Sequence, residues 1–287
     1  MVSNTELLTS IKINGAIPDD QIQFSDDVIL SLADEALQQT LLPVIMERQE
    51  EFFVFEQTLP ITASKRKYRI PSRSIGGVLR DVQIQRGTSI SSISQMNSED
   101  ILTSSTGTPY AFYLEANSVC LYPTPSATDG TLILKFFCKP GRLTPVSNAS
   151  TITAINGTTI SVASLPSVFL VGSSIDFTKG SAHYEPAGLS YAIQTVNGTD
   201  ITFSSVPDEL EVGDWLSLAG YSPVASIPEE FHPVLSLLTA AKLLQSLGQS
   251  DEESALLQKA ETAIQRLTGI LAPRILGEPQ RCVTPLL

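Results

Sequence analysis

The strongest constraint on the fold of this chain is an internal repeat in its central region, whose two copies lie 41 residues apart. The segment 152–177 aligns with 193–218, so that Asn156-Gly157 falls on Asn197-Gly198. In each copy the Asn-Gly pair stands between alternating apolar residues, which is typical of a β-hairpin with a type I′ turn. One copy is too short to cover its own apolar face, whereas two copies facing each other can do so. The sequence therefore predicts a small six-stranded barrel or sandwich built from the duplication.

Helical patterns flank this module on both sides. Apolar residues recur at helical spacing from about 26 to 56, and Pro43 within that run predicts a kink because proline removes a backbone donor. A helical hairpin is predicted after the module, opened by Pro228 and, in its second helix, by the capping box that starts at Ser250. Between residues 67 and 138 the period changes to two, which predicts a small antiparallel sheet with a turn at Gly76-Gly77.

The predicted fold class is α+β, with a long N-terminal helix and a C-terminal helical hairpin around a small antiparallel sheet, and with the duplicated β module inserted. We expect four parts in the chain. They are an extended N-terminal arm over 1–24, a discontinuous core domain over 25–145 and 223–272, the inserted β module over 146–222, and a tail over 273–287.

Composition narrows the class of protein. The formal net charge of -12 argues against a general nucleic-acid binder, because lysine and arginine supply non-specific affinity for phosphates. No run approaches the roughly 20 apolar residues needed to span a bilayer, and the N-terminus lacks the pattern of a signal peptide. We therefore expect neither a membrane protein nor a secreted one. Three scattered cysteines fit a reducing compartment.

Sequence motifs for catalysis are missing from the chain. His183 and His232 stand far from any metal-ligand spacing, and no nucleophile elbow or phosphate-binding glycine loop occurs. The prediction is a protein that is not an enzyme and that uses no cofactor and no metal. Four aromatic residues of the β module admit two readings, stacking on a sugar or packing in the core: Phe177, Tyr184, Tyr191 and Trp215.

A basic stretch between residues 65 and 86 is the first candidate contact surface. It holds seven of the 18 basic residues in 22 positions, against one acid, Asp81. The candidate residues for contact with an acidic partner are Lys65, Arg66, Lys67, Arg69 and Arg73. The alternative is that these charges protect the edge of a β-sheet from pairing with other chains.

The C-terminal tail is the second candidate. Pro273, Pro279 and Pro285 forbid a helix across it, yet the tail is rich in apolar side chains that it cannot bury on itself. The candidate contact residues are Ile275, Leu276, Val283, Leu286 and Leu287. The pattern predicts a segment that becomes ordered against a partner.

Several stretches resemble the head-to-tail connector (adaptor or neck) proteins of tailed bacteriophages. The resemblance lies in Leu30–Leu37, Tyr68–Val82, Val119–Pro125, Leu134–Leu143 and Ile227–His232, in the order and spacing of these elements. It implies a helical core that forms a twelve-fold ring beneath the portal, lines the DNA channel and offers a platform for the tail. It also implies that the C-terminal extension reaches up to the portal.

From these observations we expect a structural virion protein of the phage neck, made in the host bacterial cytoplasm. The expected partners are further copies of the chain in a ring of twelve, the portal protein, a tail or second neck protein, and DNA that passes without sequence-specific binding. The alternative is a tail or baseplate component whose β module binds a receptor or a glycan.

Overall fold

The computed structural model describes residues 3–17, 24–100, 105–180 and 185–270. Contacts within the chain define two compact units. One consists of residues 53–140, and the other of the residues on either side, 1–52 and 141–287. Residues 53–140 thus form a unit of their own instead of sharing one with 223–272. The boundary at 141 lies close to the predicted start of the β module.

The described α-helices all belong to the unit formed by 1–52 and 141–287. Five α-helices are α1 (Asn4–Asn14), α2 (Asp26–Ala36), α3 (Leu42–Gln49), α4 (His232–Ser246) and α5 (Ser250–Ile270). Helix α4 is the central one, because α1, α2 and α5 all pack against it. The predicted C-terminal hairpin is thus present as α4 and α5.

The prediction of an extended arm over residues 1–24 is wrong for its first half, where α1 forms. Ser3 caps α1, and the Glu6 carboxylate accepts from the Ser3 backbone N–H at 2.8 Å, which completes a capping box. Leu7 and Ile11 lie one turn apart on the buried face that α1 turns to α4. Burial of that face stabilises the helix, which the spacing of isoleucines in residues 1–24 did not predict.

The long helix is present but differs from its prediction at two points. It runs from Asp26 to Phe53, and a π turn over Leu37–Leu41 joins α2 to α3. There the Leu42 N–H donates to the Leu37 carbonyl five residues back, just before Pro43. The irregularity expected at Pro43 thus takes the form of a π turn. The helix stops at Phe53, because Val54 already starts a strand.

Within the described residues, only the helix Asp26–Phe53 is long and apolar enough to cross a membrane by length and composition. Its apolar face is used inside the protein, since Ile29, Ala33 and Leu37 are fully buried and α2 packs on α4. Its polar face carries Glu35, whose Oε1 lies 2.9 Å from Nζ of Lys242 on α4. These contacts identify it as a core helix.

The described residues of unit 53–140 form ten strands. They are β1 (Val54–Pro60), β2 (Lys67–Arg69), β3 (Ser74–Arg86), β4 (Ser89–Ser92), β5 (Ser94–Gln95), β6 (Thr106–Gly107), β7 (Ala111–Leu114), β8 (Ser118–Tyr122), β9 (Thr124–Pro125) and β10 (Thr131–Cys138). Two four-stranded sheets have the orders β1-β10-β3-β4 and β2-β8-β7-β5. Their apolar faces share one core, with Val82 and Leu134 from the first sheet and Tyr68 and Leu121 from the second.

The predicted antiparallel strands are therefore present, but they belong to two sheets. The turn expected at Gly76-Gly77 is wrong: both glycines lie inside β3 with positive φ, where its register with β10 shifts. A strand that bulges there continues without reversing, because glycine tolerates positive φ at no steric cost.

The remaining strands lie in the duplicated region and at its two ends. They are β11 (Arg142–Leu143), β12 (Ala149–Asn156), β13 (Thr159–Val162), β14 (Ser174–Thr178), β15 (Pro186–Asn197), β16 (Asp200–Phe203), β17 (Trp215–Leu218) and β18 (Tyr221–Ser222). Six of them pair in a closed cycle, β12-β13-β16-β15-β14-β17. Every pair in this cycle is antiparallel.

The two copies of the repeat meet with twofold symmetry in their register. Ile160 pairs with Ile201, its own equivalent 41 residues later, and Asp176 pairs with its equivalent Ser217. On either side of Asp176 the pairs Ile175↔Leu218 and Phe177↔Leu216 exchange under the same shift. Each copy therefore covers the apolar face of the other, as the length of the repeat requires.

The hairpin turns differ from the predicted type. Asn156 pairs with Thr159 and Asn197 with Asp200, so the central residues are Gly157-Thr158 and Gly198-Thr199. Only the glycines have positive φ, at 61° and 60°. A glycine at the first central position is typical of a type II′ turn, not of type I′.

Two buried carboxylates tie the loops of this region to its strands. Asp176 accepts hydrogen bonds from the backbone N–H groups of Ser190 and Gly220, both at 2.8 Å. Asp214 accepts in the same way from Gly180 and Glu211. Each aspartate therefore holds the backbone of two separate loop segments in place.

We expect Asp176→Ala to destabilise the protein by about 2–4 kcal/mol, because two buried backbone N–H groups lose a charged acceptor. Thermal unfolding followed by circular dichroism measures the effect. The matched control is Asp208→Ala, at an exposed position of the same region, for which we expect a change within about 0.5 kcal/mol. Equal effects for both variants would show that the hydrogen bonds of Asp176 add nothing to stability.

We also predict that residues 146–222 can be removed. Strands β11 and β18 run parallel, with Leu143 beside Ser222, so the chain can step from Pro145 to Pro223 without changing direction. The deletion exposes Val224, which packs against Ala149 and Trp215, and a lower melting temperature should follow. A soluble protein that melts cooperatively is the expected result. Insolubility or a broad transition would show that the region is integral to the core.

Candidate interaction surfaces

The first part of the basic stretch, residues 65–69, lies at the open edge of the second sheet of unit 53–140, whereas Arg80 and Arg86 belong to β3 of the first sheet. Strand β2 ends the order β2-β8-β7-β5, and within the described ranges β8 is its only partner strand. Its middle residue, Tyr68, is buried, so Lys67 and Arg69 on either side point to solvent. The cations thus occupy the position that charged residues take to protect an edge strand.

One carboxylate gathers two of the five candidate cations. Lys67 Nζ lies 2.5 Å from Glu115 Oε1, and Arg66 Nη2 lies 3.8 Å from Oε2 of the same residue. The hydrogen bond to Glu115 raises the pKa of Lys67, and the same bond lowers the pKa of Glu115. All three side chains are about half exposed, so this cluster contributes little to folding stability.

The other candidate cations are held in different ways. Lys65 Nζ lies 4.9 Å above the ring of Tyr68, and Arg73 donates from Nε and Nη2 to the Lys139 carbonyl at 3.0 and 2.6 Å. Arg69 is exposed and makes no ion pair with any residue in the described ranges. The structure thus places Lys67 and Arg69 on the edge strand and Glu115 beside Arg66 and Lys67. Both readings of the stretch remain compatible with this arrangement.

The five apolar candidates of the tail, Ile275, Leu276, Val283, Leu286 and Leu287, lie outside the described residues. Their role remains a prediction from sequence. The last described element, α5, ends at Ile270.

A groove at the open end of the helical hairpin was not signalled by the sequence. It has a volume of about 630 Å³ and lies between the start of α4, near Pro233 and Val234, and the second half of α5, near Ala263 and Leu267. Lys259 and Arg266 also line it. The helical periodicity of α5 identified its buried stripe, but a groove depends on where the two helices diverge, which periodicity does not encode.

The aromatic residues of the duplicated region serve its core. Phe177 is fully buried and makes edge-to-face contacts at 5.4 Å with Tyr191 and with Phe203. Trp215 is 8% exposed and packs with Ala149 and Val224. Tyr184 lies outside the described residues. Stacking of a sugar on Phe177 or Trp215 is therefore wrong, and the packing reading is correct for both.

Chemical features of an active site do not emerge from the described part of the chain. In that part no group of three or more His, Cys, Asp or Glu residues is placed to hold a metal ion. His232 is buried at the start of α4, with Nε2 3.1 Å from the Ala225 carbonyl, and burial lowers its pKa. This histidine anchors the loop before α4, while His183 lies outside the described residues.

A family model described as SU10 adaptor protein matches residues 5–174, which is more than half of the chain. The match begins in α1, includes the long helix and the whole unit 53–140, and ends at the start of β14. No curated protein matches the chain.

Proposed function

This chain belongs to the SU10 adaptor protein family of phage structural proteins, and we propose that it forms the ring between portal and tail. In this proposal twelve copies surround the DNA channel, with the portal on one side and the tail or a second neck protein on the other. The protein acts in the neck of the virion after synthesis in the host cytoplasm. Its role is structural, and it requires neither a catalytic residue nor a cofactor.

The observation that carries the proposal is the family match, because it covers α1, the long helix Asp26–Phe53 and the whole unit 53–140 together. The charge balance supports a channel role. A protein with a net charge of -12 has little attraction for phosphates, so DNA can move past it without being held. The exposed cations of edge strand β2, Lys67 and Arg69, then remain available for a protein partner.

The alternative of a tail or baseplate component with a receptor- or glycan-binding module has less support. Its best candidate residues were aromatic, and Phe177 and Trp215 are used in packing. Electron microscopy of the purified protein mixed with its portal distinguishes the two functions. A ring bound to the portal is the expected image. A trimer with no affinity for the portal would overturn the proposal.

The basic stretch supplies a first prediction from this function. We expect the triple change Lys65→Ser, Lys67→Ser and Arg69→Ser to weaken binding to the portal or to neighbouring copies, and raised salt should weaken the wild type in the same way because exposed charges are screened. Arg73 is left in place because it bonds to the Lys139 carbonyl. Binding is measured by co-sedimentation at low and high salt.

The control is Arg48→Ser, a change of an exposed cation on α3. If the charges only protect the edge of β2, the triple variant should aggregate more readily while its portal binding stays at the wild-type level. That outcome would remove the stretch from the docking surface.

The second prediction concerns residues 273–287, which we propose dock on the portal. Each apolar side chain contributes roughly 1.5–3 kcal/mol if fully buried, while ordering costs about 1–2 kcal/mol per residue. A single tail should therefore bind weakly, and a ring of tails should bind tightly through high effective concentration. Removing 273–287 should leave a folded protein that no longer co-purifies with portal rings.

Two variants of the full-length tail refine this test. Leu286→Asp with Leu287→Asp should weaken portal binding less than truncation does. The matched control, Arg274→Ser with Arg281→Ser, changes polar positions of the same tail and should bind nearly as the wild type. Undiminished binding by the truncated protein would place the docking surface elsewhere in the chain.

A further inference from the structure

The two sheets of unit 53–140 have four edges, and these edges are not equally protected. Strand β2 carries exposed Lys67 and Arg69, and β5 is only two residues long. Both conditions discourage pairing with another chain. The other two edges, β1 and β4, belong to the same sheet, β1-β10-β3-β4. This sheet is therefore the one that can be extended.

Strand β4 lacks the usual devices of edge protection. Its sequence is Ser89-Ile90-Ser91-Ser92, without a charge or a proline, and all four residues are exposed. Ile90 exposes 56% of its surface. Natural edge strands generally carry lysine, proline or a bulge to prevent such exposure, so an unprotected edge indicates a strand that has a partner.

The backbone groups that β4 offers can be identified from its pairing with β3. The Ile93 N–H donates to the Val82 carbonyl at 2.9 Å, and Ser91 lies opposite Ile84. Hydrogen bonding alternates along an antiparallel strand, so odd-numbered residues bond towards β3. The N–H and C=O groups of Ile90 and Ser92 therefore face the open edge.

The same argument applies to β1. The Ile61 N–H donates to the Gly130 carbonyl at 3.0 Å, which places the odd-numbered residues of β1 in hydrogen bonds with β10. Glu56 and Thr58 then direct their N–H and C=O groups to the open edge. Pro60 would also face outward, and because it has no N–H it ends the usable edge without costing a bond to β10.

We propose that β4 of one copy pairs antiparallel with β1 of a second copy of this chain. Thr58 of the second copy then lies opposite Ile90, and Glu56 of the second copy lies opposite Ser92. These two pairs use every outward group of Ile90 and Ser92 and form four backbone hydrogen bonds. A shift by two residues in one direction brings Pro60 to the edge and loses a bond, because proline has no N–H. A shift in the other direction places Val54, the first residue of β1 after the 3₁₀ turn Glu50–Phe53, opposite Ser92. The proposed register is the one that keeps both pairs within the interior of β1.

Strand direction favours this partner. Neighbouring strands in β1-β10-β3-β4 are antiparallel throughout, so the next strand beside β4 must run in the direction of β1. The side chains also match, because those of the proposed partner residues lie on the same face of the sheet. On β1 this face carries Glu56 and Thr58, and on β4 it carries Ile90 and Ser92. The strands between them connect the two ends through the pairs Glu56↔Lys135, Lys135↔Asp81, Gln85↔Ile90 and Gln83↔Ser92. The charge of Glu56 is already paired, with Oε2 3.8 Å from Lys135 Nζ.

This contact is head-to-tail, so each copy uses both of its open edges, and repetition gives a ring where the rotation closes. Closure into a ring rests on the proposed function, but the strand pairing itself does not. The two can therefore fail separately. Edge pairing without portal binding would refute the proposed function alone, and portal-bound rings without edge pairing would refute this inference alone.

Disulfide trapping tests the register. In the proposed pairing Gln57 of the second copy lies opposite Ser91 as a non-hydrogen-bonded pair, in which the Cβ atoms are closest. Full-length Gln57→Cys and Ser91→Cys proteins, each also carrying Cys282→Ser, are mixed and oxidised. We expect a covalent dimer in the mixture and none in either protein alone. The matched control pairs Gln57→Cys with Ser89→Cys, which lies two residues off and should cross-link roughly tenfold less.

Two outcomes would overturn the proposal. A mixture that forms no Gln57–Ser91 cross-link at any concentration shows that these edges do not meet. A dimer formed by Ser91→Cys alone shows that β4 pairs with β4 across a twofold axis, which excludes the head-to-tail contact.

A second pair of variants separates backbone pairing from contact by side chains. Ile90→Pro removes an outward N–H without removing a bond to β3, whereas Ile90→Thr keeps that N–H and only shortens the apolar side chain. We expect the proline variant to weaken self-association about tenfold and the threonine variant at most about threefold, measured by analytical ultracentrifugation. Unfolding curves check that both stay folded. Equal weakening by the two would show that Ile90 acts through its side chain, contrary to the proposal.

Discussion

The structure of the helical unit depends on the burial of α4. Ten of its 15 residues are buried, and α1, α2 and α5 cover it from different sides. Small residues such as Ala240 and Ala241 let neighbouring helices approach closely. Two of its buried hydroxyl groups bond within the helix: Thr239 Oγ1 donates to the Leu235 carbonyl and Ser236 Oγ donates to the Pro233 carbonyl, both at 2.8 Å. A helix buried on nearly all sides needs partners from both ends of the chain, which explains why residues 1–52 and 141–287 form one unit.

The parts of the fold that the sequence predicted are those that follow from local periodicity. The duplication, the antiparallel strands from 67 to 138 and the helical hairpin all leave a regular pattern of apolar residues. Where tertiary contacts decide, the predictions failed. Helix α1 exists because α4 offers a surface to Leu7 and Ile11, and the helix ends at Phe53 because Val54 pairs with Phe137. The predicted turn type was wrong because the strands pair one residue away from the expected register, and register depends on both strands together.

The candidate surfaces show the same limit. Counting charges located the basic stretch, but its place on an edge strand depends on the pairing of Tyr68 with Val119, and its partial neutralisation depends on Glu115, 48 residues from Lys67. The open edges β1 and β4 are invisible in the sequence, because a strand at an edge and a strand in the middle of a sheet can share one pattern. Only the sheet order identifies which strands have a free side.

The twofold register of the duplicated region restricts how its two copies can diverge. At Ile160 and Ile201 the equivalent residues touch each other in a closed core, so a larger side chain in one copy requires a smaller one in the other. The other pair of equivalent residues that lie opposite each other, Asp176 and Ser217, already differs. Asp176 accepts hydrogen bonds from the backbone N–H groups of Ser190 and Gly220, whereas Ser217 Oγ donates to the Tyr221 carbonyl. The two sides of the same scaffold thus hold different loops, because equivalent positions carry different polar side chains.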